Sequence, residues 1–65
     1  MTTIYPLGDE MQLHLTHDNG IYILRLFDLD EGQYVPGMKG YSGPGAEQLA
    51  QDAVQRIVNE SINLN

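Results

Sequence analysis

Residues 11–28 read MQLHLTHDNGIYILRLFD, and Asn19 and Gly20 near the centre of this segment constrain the fold more than anything else in the chain. Both residues tolerate positive φ, which the two-residue turn of a twisted β-hairpin requires. On one side of the turn, residues 11–16 alternate. Met11, Leu13 and Leu15 face one way, and Gln12, His14 and Thr16 face the other. A period of two marks a half-buried strand. On the other side, residues 21–28 are rich in β-branched and aromatic side chains. Tyr22, Leu24 and Leu26 share one face, and Ile21, Ile23, Arg25 and Phe27 share the opposite one. Apolar residues on both faces point to a central strand. Its second face is then covered either by the N-terminal arm or by a partner chain.

The remaining segments attach to this hairpin. Residues 1–10 contain Pro6 and Gly8 and read as an irregular arm, with a short edge segment near residues 3–5. LDEG, residues 29–32, turns the chain into a third strand at residues 33–35. Pro36 has no N–H donor and belongs on an edge or at a bulge. The strand resumes at residues 38–41. A glycine-rich connector, residues 42–45, then leads to a helix over 46–62, with Gly43 or Ser42 as its cap and Pro44 in its first turn. Leu49, Ala50, Ala53, Ile57 and Ser61 form its apolar stripe, widened by Ala46, Val54 and Val58. That spacing places one helical face on the sheet. Asp52 with Arg56, and Arg56 with Glu60, have the i, i+4 spacing of helical ion pairs. The expected fold is a small two-layer α+β domain, ββ(β)α. A three-stranded antiparallel meander carries one C-terminal helix packed on a face. Residues 1–65 make one domain.

Size and composition narrow the function. A 65-residue chain buries only about 60% of the surface its unfolded form exposes. It has no cysteine, so neither disulfides nor a thiolate zinc site reinforces it. Absence of cysteine fits a reducing cytosol. No apolar run reaches the roughly 20 residues of a membrane span, and MTTIYPLGDE has neither the basic nor the apolar region of a secretory signal. Nine acids oppose three bases, for a formal charge of −6. That balance disfavours nucleic acid and anionic membranes as direct partners and favours a basic protein surface.

Motifs for chemistry are missing. DLDEG resembles the opening of an EF-hand loop, but counting from Asp28 puts Gly32, Gln33 and Lys39 at positions 5, 6 and 12. An EF-hand needs an oxygen ligand, a glycine and a bidentate glutamate there. His14 and His17 are three apart on a strand and face opposite sides. The connector around Lys39 lacks the Gly-Lys-Ser/Thr of a P-loop. Ser42 and Ser61 show no spacing to a histidine and an acid that would make a triad. No catalytic residue, cofactor or metal is expected, and the chain reads as a non-enzyme.

The acids themselves are patterned. Asp9, Glu10, Asp18, Asp28, Asp30 and Glu31 face Arg25 alone within residues 9–31, a net of −5 out of −6. A meander places Asp9 and Glu10 at the same sheet end as Asp28, Asp30 and Glu31, with Asp18 at the other. The turn within residues 27–33 needs Gly32 and one aspartate for its geometry, which leaves at least two of the three carboxylates Asp28, Asp30 and Glu31 with no structural duty. Carboxylates within a Debye length of about 8 Å reinforce one another. Such a face steers onto a basic groove built for nucleic acid.

MQLHLT, IYILRLFDLDEG and AEQLAQDAVQRIV, with acids between them, give a very short, acidic, cysteine-free α/β profile. Over its whole length this profile resembles the small anti-CRISPR proteins of phages, in particular inhibitors of type I systems such as type I-C. The resemblance implies a non-enzymatic inhibitor in the bacterial cytosol. It would bind a CRISPR surveillance complex (Cascade) and block target DNA, with carboxylates standing in for phosphates as in a DNA mimic. It assigns Asp9, Glu10, Asp28, Asp30 and Glu31 as the mimic face, with Glu47, Asp52 and Glu60 as a possible second acidic row. The alternative is a small structural or regulatory module that self-associates through Ile21, Ile23 and Phe27. A monomer or weak homodimer is expected, and the self-associating alternative requires the dimer.

Overall fold

The hairpin sets the register of everything else. The structure, a computed structural model, describes residues 1–63. Strand β1 spans Thr2–Leu7, β2 Met11–Asp18 and β3 Ile21–Asp28. Strands β2 and β3 pair antiparallel from Met11↔Asp28 to Asp18↔Ile21. Asn19 and Gly20 close the turn with φ of 51° and 76°, as a two-residue turn with positive φ at both positions requires.

The first ten residues are not an irregular arm. They contribute the six-residue strand β1, paired antiparallel to β2 from Thr2↔Thr16 to Leu7↔Met11. The ladder extends to the chain terminus. The His17 N–H donates to the Met1 carbonyl at 2.9 Å, and the Met1 ammonium donates to the His17 carbonyl at 3.2 Å. Pro6 is tolerated because β1 is an edge strand. Tyr5 and Leu7 lie opposite Leu13 and Met11, so this strand adds to the apolar face. It does not fold across the second face of β3.

The third strand is divided in two. Strands β4 (Gln33–Tyr34) and β5 (Lys39–Tyr41) both pair antiparallel with β3, through Phe27↔Tyr34 and Tyr22↔Tyr41. The Val35 N–H still donates to the Leu26 carbonyl at 2.9 Å, and residues 36–38 then step out of the ladder. Pro36 has no N–H to offer, and Gly37 takes φ of 102°, a conformation nearly closed to other residues. The interruption falls where the proline predicts it. The sheet nevertheless has five strands rather than three, in the order β1-β2-β3-β4 with β5 also on β3.

Helix α1 spans Ala46–Asn63. The Leu49 N–H donates to the Gly45 carbonyl at 3.0 Å, so Gly45 holds the cap position expected of Gly43 or Ser42. The Ala46 N–H donates to the Gly43 carbonyl at 3.1 Å. Ala50, Ala53 and Val54 are buried against Leu13, Leu15 and Leu24 of the sheet. Small residues at the helix centre let the two layers approach. Tyr5, Leu7, Tyr22, Leu26, Tyr41, Ile57 and Val58 border this core. Fully burying a side chain such as Leu13 stabilises by about 1.5–3 kcal/mol. Leu49 is a correction: it is 55% exposed. At about 100° per residue, Leu49 and Val54 flank opposite margins of the stripe. The helix is rolled toward Val54, which turns Leu49 outward.

Candidate functional site

Two turns meet at one end of the sheet and bring the acids together. Met11 lies opposite Asp28, and the Leu29 N–H donates to the Glu10 carbonyl at 2.9 Å. The turn carrying Asp9 and Glu10 is thereby tied to the turn carrying Asp28, Asp30 and Glu31. Asp18 sits at the far end, beside the hairpin turn. The predicted acidic end therefore exists as a physical rim.

Within the rim the carboxylates differ. Asp28 Oδ1 accepts the N–H of Asp30 at 2.9 Å and that of Glu31 at 3.2 Å. The Gly32 N–H donates to the Asp28 carbonyl at 2.8 Å, and Gly32 has φ of 69°. Asp28 is thus the aspartate the turn needs, in the side-chain-to-backbone arrangement typical of this residue. Asp9, Glu10, Asp30 and Glu31 are exposed. Their carboxylates take no hydrogen bond or ion pair among the described residues. They stand open to solvent.

The helical acids do not form a single row. The Tyr22 hydroxyl donates to Glu47 Oε2 at 3.4 Å, at the end of the sheet away from the rim. Desolvation of the Tyr22 phenol, then the neighbouring Glu47 charge and its hydrogen bond, raise the phenol above its ordinary pKa of 10.0. Asp52 accepts from Gln48 Nε2 at 2.8 Å rather than pairing with Arg56. Glu60 lines a shallow cleft of about 580 Å³ together with Asp9 and Glu10. The helix therefore adds one acid, Glu60, to the rim.

The second face of the sheet carries a polar and aromatic cluster that the reading of motifs missed. His14 is 8% exposed. Its Nε2 lies 2.9 Å from Gln12 Oε1 and its Nδ1 lies 2.9 Å from the Tyr34 hydroxyl. The amide oxygen can only accept, so Nε2 carries a proton, and in the neutral ring Nδ1 accepts from Tyr34. The imidazole stacks on Phe27 with centroids 5.3 Å apart. Tyr34 packs edge-on to both rings, and the Arg25 guanidinium lies 3.8 Å over the Tyr34 ring. The hairpin register carried a signal for this cluster. A turn at Asn19 and Gly20 places His14 opposite Arg25 and Gln12 opposite Phe27. Ile4 and Ile21 flank the cluster, 52% and 46% exposed.

His17 stacks on Tyr22 on the helical side, with centroids 4.0 Å apart, so the two histidines point to opposite faces. Among the described residues no group of three or more His, Asp or Glu side chains could hold a metal ion. No helix among them is long and apolar enough to cross a membrane. Comparison with protein-family models, curated proteins and solved structures found no match.

Proposed function

We propose that this protein is a non-enzymatic inhibitor that docks its acidic rim on a basic protein surface built to hold nucleic acid. The observation that carries the reading is the tie between the two acidic turns, with four carboxylates left unpaired in solvent. Such a rim accelerates encounter with a cationic groove and competes there with phosphates. Asp30 and Glu31 project from a turn whose shape Asp28 already fixes, so their charges are held without further ordering. The resemblance to type I anti-CRISPR proteins makes a type I surveillance complex in the bacterial cytosol the first partner to test.

The test is capture of that purified complex on immobilised protein, with and without target DNA as competitor. Capture is expected, with loss on adding DNA and a steep fall as salt rises. The double substitution D30N/E31Q is expected to weaken capture about tenfold, mostly through slower association. Capture that is indifferent to the double substitution and to DNA would remove the rim from the interface.

A second reading rests on Ile4 and Ile21, exposed on the open sheet face beside Ile23 and Phe27. It makes the protein a self-associating module. Sedimentation at micromolar concentration separates the two, since this reading requires a dimer that I4S/I21S dissociates.

A further inference from the structure

Every lysine and arginine in the chain lines one cavity. The three bases are Arg25, Lys39 and Arg56, and all border an opening of about 300 Å³ between the helix and the interrupted edge of β3. Its floor includes Leu13, Leu24, Leu26 and Ile57, and residues 35–38 wall one side at the break between β4 and β5. In a chain of charge −6, cations would ordinarily be drawn to the carboxylates. None of these three joins an ion pair among the described residues. The Arg25 guanidinium is held over the Tyr34 ring on the opposite face of the sheet, with its buried Nε lacking a hydrogen-bond partner, so Lys39 and Arg56 supply the charge at the opening. Lys39 and Arg56 are exposed at the surface.

We propose that this cavity binds a small amphipathic carboxylate, with its aliphatic tail on the leucine and isoleucine floor and its head group toward Lys39 and Arg56. The volume lies at the lower end of ligand sites and admits a short alkyl chain but not a helix or strand of a partner. The rest of the surface repels an anion, so the segregated bases concentrate it at this one apolar opening. A neutral ligand of the same shape uses the floor alone and forgoes the charges. The opening adjoins the acidic cleft, with which it shares Leu26 and Ile57, but its bases Lys39 and Arg56 do not line that cleft, and the proposal does not rest on the function of the rim.

The experiment titrates sodium octanoate, and octanol as the neutral counterpart, into the full chain while amide chemical shifts are followed. Octanoate is expected to shift residues 24–26, 35–39 and 53–57 and to bind more tightly than octanol. K39Q/R56Q alters two exposed side chains and should retain the native amide dispersion. It is expected to weaken octanoate about tenfold, as loss of two exposed charge contacts does, and to leave octanol unchanged. The proposal is overturned if octanoate shifts no amides in these segments, or if octanol binds as well as octanoate. It is equally overturned if K39Q/R56Q binds octanoate undiminished, or if the same amides shift with protein concentration alone, which would give the cavity to a second copy of the chain.

Discussion

Asp28 accepts two backbone N–H groups while Asp30 and Glu31 accept none, so three neighbouring carboxylates answer differently to substitution. D28A should cost about 1 kcal/mol, comparable to the loss of an exposed capping side chain, as measured by urea unfolding. D30N and E31Q should each fall within about 0.5 kcal/mol of the parent. The sequence showed that the turn needs one aspartate. It did not show which one, because that depends on where β3 ends. Tyr22 gives a pH dependence of definite sign. Its folded pKa is raised, so between the unfolded and folded values the folded chain binds more protons. Stability is then fully present below the ordinary tyrosine value and declines as pH rises through the folded one. Y22F should flatten that alkaline decline, read as urea midpoints on either side of about pH 10.

At the scale of elements, the helix and β2 share the core unequally between their leucines. L13A, at a side chain 1% exposed, should destabilise by about 2–5 kcal/mol. L49A should change stability by no more than about 0.5 kcal/mol. Thermal or urea unfolding of the pair tests the roll of the helix toward Val54. Periodicity identified the helix but not this roll, because a stripe wider than the contact leaves one margin outside it. The hairpin was legible through period two and the Asn-Gly turn, and the break at Pro36 through the missing N–H. Strand β1 was legible only in part, as a short edge segment near residues 3–5. Thr2, Thr3 and Pro6 blur its alternation, and its pairing comes from β2 offering a free edge, which no local pattern records.

Across the whole molecule, charge is sorted by place. Acids gather at one end of the sheet, and the bases gather at the cavity beside the interrupted edge. Hairpin register made the first four rim acids and Asp28 legible. Glu60 was read into a separate helical row with Glu47 and Asp52, although chain lengths carried a signal that it joins the rim. Helical rise is about 1.5 Å per residue and strand rise about 3.3 Å. A helix starting beside Tyr22 therefore needs roughly four turns to travel back along the eight-residue strands to the rim. Repulsion among these unpaired carboxylates opposes folding, so about 0.5 M sodium chloride should raise Tm by screening them. D30N/E31Q should show a smaller salt response in the same thermal scans.

Both borders of the sheet are blunted by proline. On the outer border of β1, Pro6 removes a donor, and on the other border Pro36 and Gly37 divide the ladder into stretches of two and three residues. An incoming strand finds no continuous row of backbone groups to copy. Runaway strand addition, the ordinary hazard of a small domain that is mostly sheet, is therefore checked by backbone chemistry. The side chains are left free to carry charge at one end of the sheet and an apolar opening beside its interrupted edge.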